Sequence, residues 1–255
     1  MLLRFLGTGT SYGVPFVGCD CAVCTSYDPH DNRLRASIAV EEGETRVLVD
    51  TGPDLRQQVL RAGISRVDAV FWTHSHNDHI IGLDDLRPLS DGHGYIPGYA
   101  DAATLAKLTR VFDYAFVAGR EGGFPRVTGQ VLEPWQSVQV GSLTVTSLPI
   151  KHGNLDIFAY EFTSNGKRLI YATDCSFIPL DTQERMRGAD VLILDALRPQ
   201  PHHGHFHLQA ALDAVAKLKP KRSFFTHLSH DMTHEIRSDL PPGVAIAYDT
   251  QDVPV

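Results

Sequence analysis

The chain has few cysteines, no long apolar run and no excess of basic charge, and each shortage excludes a class of protein. Four cysteines in 255 residues are too few to staple a secreted disulfide scaffold. No stretch approaches the ~18–20 consecutive apolar residues of a membrane-spanning helix, so no membrane partner is expected. Lys and Arg number 23 against 30 for Asp and Glu, which argues against a broad basic face for polymeric nucleic acid. With 21 glycines and 15 prolines the composition is neither collagenous nor that of a disordered chain. The opening MLLRFLGTGT reaches glycine too early for a signal-peptide core, and a cytoplasmic location is expected. Hydrophobic residues, at 43%, suffice for a core, and the sequence shows no linker, short repeat or low-complexity segment. One domain over 1–255 is expected.

What the chain has in abundance is histidine: 13 residues, all internal, with no run longer than the pair His202-His203. Their spacing decides what they do. Strands are expected over 2–6, 36–41, 45–50, 68–73, 131–133, 137–140, 143–148, 157–163, 168–173, 190–194 and 222–226. Asn165-Gly166 marks a hairpin. Helices are expected over 54–62, over 102–110 behind an Asp101 N-cap, near 180–187 and over 208–217. The glycine-rich segments 90–98 and 118–129 read as loops facing a substrate, where Arg120 and Arg126 are able to meet phosphate. Hairpins interleaved with helices fit an α/β (α+β) fold of two mixed sheets flanked by helices better than a doubly wound parallel sheet.

After the strand at 68–73 the chain reads Thr73-His74-Ser75-His76-Asn77-Asp78-His79. Alternate side chains of an extended segment share a face, so His74 and His76 can converge on one ion. A turn after His76 would offer Asp78 and His79 to a second. Imidazole and carboxylate suit Zn, Mn or Fe.

HSHNDH matches the H-x-H-x-D-H signature of the metallo-β-lactamase superfamily, and other segments extend the match. Asp50 in LVDTG ends a predicted strand, and His152, Asp174 and His227 each follow one, in the family's motif order. The resemblance implies a four-layer αβ/βα sandwich with two active-site divalent ions, Mn or Zn. By it, His74, His76 and His152 hold one ion, Asp78, His79 and His227 hold the other, and Asp174 lies between them. Asp50 would orient a ligand from behind. Two divalent ions ~3.5–4 Å apart can share a hydroxide and clamp both oxygens of an in-line displacement.

A second constellation is Cys19-Asp-Cys21-Ala-Val-Cys24. Close thiols without a secretory signal point to metal rather than to disulfides. Zinc requires four ligands. Cys175 follows Asp174 and is assigned no zinc role; His230, three residues beyond His227, is the fourth. A closed Cys3His set has no open position for substrate and is structural. GTGTSYGVPFVGCDCAVC together with HLSH resembles the PhnP-like phosphodiesterases of the carbon–phosphorus lyase pathway. That resemblance implies a structural zinc at these residues and hydrolysis of a small cyclic phosphodiester. It also places a catalytic histidine at His205, with Asp78 and a substrate-binding His202 beside it.

We read His205 as the general acid or a phosphate-binding group. His203 and His207 read as loop residues, His207 being able to cap the following helix. Gly7-Thr8-Gly9-Thr10 reads as a turn, and KLKPKR at 217–222 as solvated surface. His30, His93 and His234 are given no role. The leading expectation is a dinuclear-metal phosphodiesterase in which a metal-bound hydroxide attacks phosphorus. The alternatives are a lactonase, thioesterase or RNA-processing nuclease on the same metals, or a non-hydrolytic accessory protein like that of the pyrroloquinoline quinone pathway. The sequence leaves the oligomeric state open, and relatives suggest a homodimer.

Overall fold

The computed structural model describes residues 1–91, 94–117 and 123–255. The first half of the chain supplies β1 (Leu2–Gly7), β2 (Ser37–Glu42), β3 (Thr45–Val49), β4 (Ala69–Phe71), β5 (Ile96–Ala100) and β6 (Val127–Val131). Helices α1 (Leu55–Arg61), α2 (Asn77–Ile80), α3 (Arg87–Ser90) and α4 (Ala102–Val111) lie between them. The second half supplies β7 (Ser137–Val140), β8 (Leu143–His152), β9 (Leu155–Ser164), β10 (Lys167–Ala172), β11 (Val191–Asp195), β12 (Arg222–Thr226) and β13 (Val244–Ile246). It also carries α5 (Leu180–Met186) and α6 (Leu208–Leu218), and the terminal β14 (Asp252–Pro254) crosses back to pair with β1.

Two seven-stranded sheets result, ordered β14-β1-β2-β3-β4-β5-β6 and β13-β12-β11-β10-β9-β8-β7. Both are mixed in the same way. From β14 to β3 and from β7 to β10 the pairs are antiparallel; from β3 to β6 and from β10 to β13 they are parallel. The inner faces meet through Phe5, Val40, Val49 and Phe71 of one sheet and Val145, Phe162, Tyr171 and Ile193 of the other. The outer faces are covered too. Leu48, Val70 and Trp72 pack with Leu55 and Val59 of α1 and Leu108 of α4, while Ile170, Leu192 and Phe225 pack with Met186 of α5 and Ala211 of α6. Strands buried on both faces need no polar alternation, which explains unbroken runs such as VLILD. At ~1.5–3 kcal/mol per fully buried large apolar side chain, this double core is the main stabilising term.

The structure corrects several readings. The segment 90–98 is not all loop, because β5 begins at Ile96, and the expected strand at 131–133 is instead β6, ending at Val131. Pro97 and Gly98 disguise β5, yet Gly98 is required there: a Cβ on it would lie 2.6 Å from the Trp72 ring. Arg126 sits next to β6, its carbonyl accepting from the Ile96 amide, and it lines no cavity beside the histidines. His93 and Arg120 lie outside the described residues. The turn after His76 is a short helix, α2, with His76 at its N-cap position. His207 occupies the N-cap position of α6, but its side chain makes no capping bond. Strands β13 and β14 escaped the sequence reading. No helix among the described residues is long and apolar enough to cross a membrane.

Candidate metal centre

Six strand ends converge on one edge of the sandwich. Asp50 follows β3, His74 follows β4, His152 ends β8, Asp174 follows β10, Asp195 ends β11 and His227 follows β12. Three of the seven non-glycine residues with positive φ among the described residues are here: Asp50 (65°), Asp174 (53°) and His227 (58°). Such conformations cost ~1–3 kcal/mol each and persist only where the surrounding structure imposes them. The carbonyl of Asp78 approaches Gly52 so closely that a Cβ there would lie 2.1 Å away, which locks α2 against the Asp50 turn.

The side chains expected to meet do meet. His74, His76 and His152 form one group, and Asp78, His79, Asp174 and His227 another, with the potential ligand atoms of each within 4.8 Å of one another. Asp174 stands between the groups, with Oδ1 4.0 Å from His74 Nε2 and 3.2 Å from His227 Nε2, and Oδ2 3.3 Å from His79 Nε2. Hydrogen bonds behind the rings aim them inward. His79 donates from Nδ1 to Asp50 Oδ2 (2.7 Å), and His152 donates from Nδ1 to the Gly204 carbonyl (2.6 Å). Asp50 is held in turn by the Thr73 amide and hydroxyl.

The buried Nε2 atoms of His74, His79 and His227 have no hydrogen-bond partner among the described residues. Buried imidazole nitrogens left unpaired are costly. Pointed together at carboxylates, they form a donor set suited to divalent cations. Electrostatics agree. Burial opposes charge on His79, yet Asp174, Asp78 and Asp50 lift it well above its usual range. His227 rises to about 9, against burial, through Asp174, Asp78 and Asp195. The carboxylates thus demand positive charge at this point.

His205 lies beside the centre, its ring stacked on that of His227 at 4.8 Å. It donates from Nδ1 to Asp195 Oδ2 (2.7 Å), leaving Nε2 as its free nitrogen. Asp195 is fully buried and also approaches His227 Nδ1 at 3.8 Å. The sequence reading missed it, although VLILD carries the signal that picked out Asp50: an aspartate closing an apolar strand. Burial and His227 push His205 down to about 4. His202 stands beside His205 at 5.1 Å between ring centroids. His203 is exposed.

The second cluster also assembles. The sulfurs of Cys19, Cys21 and Cys24 lie 3.2, 3.7 and 3.5 Å from His230 Nδ1. Zn–S of ~2.3 Å and Zn–N of ~2.0–2.1 Å at tetrahedral angles give an S···N edge of about 3.6 Å, which these distances bracket. The Cys24 amide donates to Cys21 Sγ, holding that thiol down to about 7. Cys175 is buried away from this group. Gly7 to Thr10 do not form an open anion cradle, because the Arg33–Arg35 backbone and the Leu228 carbonyl pack against them. His30 and His234 stack on each other at 4.6 Å, outside both clusters.

Residues 45–228 match the family model described as a β-lactamase superfamily domain. Among solved structures, a diphosphatase from the PhnP family superposes with a TM-score of 0.91 at 42% identity, covering 99% of this chain and 96% of that one. Among curated proteins, the octanoyltransferase of Porphyromonas gingivalis is 36% identical over 96% of this chain. This chain spans only 49% of that protein's length. Coenzyme PQQ synthesis protein B of Methylorubrum extorquens (strain PA1) is 32% identical, over 76% of this chain and 72% of that protein. The family match, the paired mixed sheets and the converging strand ends agree: this chain belongs to the metallo-β-lactamase superfamily, and its relatives include the PhnP family.

Proposed function

We propose that this chain is a metal-dependent hydrolase of a small phosphodiester, cyclic esters included. The observation that carries the reading is Asp174, set between a three-histidine group and an Asp-His-His group with unpaired ring nitrogens facing it. In this reading His74, His76 and His152 would hold one divalent ion, Asp78, His79 and His227 would hold the other, and Asp174 would stand between them. Cys19, Cys21, Cys24 and His230 would hold a structural zinc. The active-site ions supply Lewis acidity toward phosphoryl oxygens and lower the pKa of coordinated water.

The chain's own groups do the rest. Asp50 fixes the ring of His79, and the Gly204 carbonyl fixes that of His152. Asp195 fixes the tautomer of His205, so that Nε2 faces the substrate side. An arriving phosphodiester brings negative charge beside His205, which raises the affinity of Nε2 for a proton. Binding and protonation are therefore coupled, and the departing alkoxide finds an acid in place. The phosphorus-directed name of the PhnP-family neighbour supports this reading.

The test compares metal-loaded protein on bis(p-nitrophenyl) phosphate and on a panel of lactones and thioesters. Diester turnover dominating the panel is expected. Turnover of lactone or thioester alone overturns the assignment.

A further inference from the structure

Two depressions flank the candidate centre, and they differ in chemistry. One, of about 510 Å³, opens beside His76 and His152 and is lined further by Gly153, Asn154, Leu155 and His203. Among the described residues its wall holds no Arg, Lys, Tyr, Phe or Trp. The other, of about 240 Å³, lies on the His205 side, and its wall includes Tyr12, Phe16, Arg198, His202 and Asp231. Its volume falls below the ~300–1,000 Å³ typical of pockets for drug-sized ligands, so it suits a fragment of a substrate.

The groups in the smaller cavity are free to bind. Tyr12 is 62% exposed, and its one ring contact among the described residues is Phe16, at 4.5 Å. Phe16 stacks on His230 at 5.3 Å, and its amide donates to Cys24 Sγ, so the aromatic wall rests on the cysteine cluster. Among the described residues the Arg198 guanidinium donates only to the Gln200 and Pro201 carbonyls of its own loop. No carboxylate lies within ion-pair distance of it among the described residues.

Resting on the hydrolase reading, we infer that Tyr12 and Arg198 determine which alcohol departs. The cavity takes the leaving group, and it favours a planar unsaturated ring carrying an anionic substituent. The orientation follows from His205. An acid must come within ~2.6–3.2 Å of the oxygen it protonates, so the departing oxygen lies on the His205 side. The ester bond from phosphorus to that oxygen breaks, the oxygen takes a proton from His205 Nε2, and water supplies the new phosphorus–oxygen bond. In an acyclic diester the retained substituent then falls into the larger depression, whose wall, among the described residues, offers no Arg or Lys and no ring beyond its histidines. Selection is strict for the half that leaves and loose for the half that stays.

Two esters and a binding measurement test this. Bis(p-nitrophenyl) phosphate and methyl p-nitrophenyl phosphate share a leaving group and differ in the retained one. Tyr12→Ala raises KM about tenfold on both, by the same factor, while kcat falls less than threefold. Tyr12→Phe, which keeps the ring, restores KM relative to Tyr12→Ala. In calorimetry on metal-loaded protein, Tyr12→Ala weakens p-nitrophenol binding about tenfold and leaves cyclohexanol unaffected. Wild type prefers 4-hydroxybenzoate to phenol about tenfold, and Arg198→Gln abolishes that preference.

A KM loss confined to the bis ester places Tyr12 on the retained half and overturns the inference, as does no loss on either. If wild type turns over neither ester, the hydrolase reading fails and the calorimetry alone decides the cavity. Binding of p-nitrophenol that is indifferent to Tyr12→Ala then overturns this inference too.

Discussion

The two metal-competent clusters are built in opposite ways. At the strand edge, donors arrive from four separate strand ends in both sheets, and most of them are buried. In the cysteine cluster three donors come from one six-residue loop, only Cys24 is buried, and none stands on a strand. The first is assembled by topology: ligand positions are fixed by hydrophobic sheets that form whether or not an ion binds. The second is assembled by a loop with little apolar content, whose closure depends on whatever joins the sulfurs to His230. Metal should therefore be a guest at one cluster and a structural member at the other.

The sharpest way to break this comparison is a pair of substitutions. Asp174→Ala is expected to cut diester turnover at least a thousandfold and to reduce bound metal from about three ions per chain to about one, with far-UV circular dichroism unchanged. Cys21→Ser is expected to do the reverse, losing one zinc and about 3 kcal/mol of stability, a fall in Tm of ~6–12 °C. Its loss of kcat/KM should be far smaller than that of Asp174→Ala. Elemental analysis and thermal melts decide both, and a Cys21→Ser protein with normal zinc and Tm would remove the structural assignment.

Next in size is Asp195→Asn, which keeps the shape but weakens the acceptor for His205. Loss of a partner that orients an active-site ring costs 10–100-fold. We expect that loss in kcat, with Tm unchanged or raised, because Asp195 is a fully buried carboxylate that burial pushes well above its usual pKa.

The smallest effect concerns the polar support beneath the cysteine loop. Asp249 accepts from the Thr8 hydroxyl and the Leu34 amide, and Arg33 donates to the same Thr8 hydroxyl. Burial pushes Asp249 up to about 6 from an unfolded value near 3.8. Between those values the folded chain holds the proton more tightly, so this group's contribution to stability falls as pH rises from about 4 to about 6 and stays lost above. The swing is at most about 3 kcal/mol. Melts of wild type and Asp249→Asn across pH 4–8 should diverge in that window, the variant lacking the decline.

Much of this was legible in the sequence for a physical reason. Apolar runs such as VFW and VLILD have one solution, a strand covered on both faces, and HSHNDH crowds donors into a segment too short to hide them. The Cys-x-Cys-x2-Cys loop was legible because three of its four donors fall within six residues. β5 was not, since Pro97 and Gly98 argue against a strand until Trp72 is known to fill the space over Gly98. Asp195 was passed over for another reason. VLILD marks it as a strand-closing aspartate, but its partners His205 and His227 lie in later segments, and nothing in HHGHFH shows which ring the loop will turn toward β11.

The left-handed backbone at Asp50, Asp174 and His227 has a consequence at a distance. Those bends are held in place by the ordered sheets behind them, so slack introduced deep in the sandwich would relax the bends before the fold gives way. A mild core truncation far from the edge, such as Ile193→Val, should announce itself first as weakened ion retention, while the melting curve has barely moved.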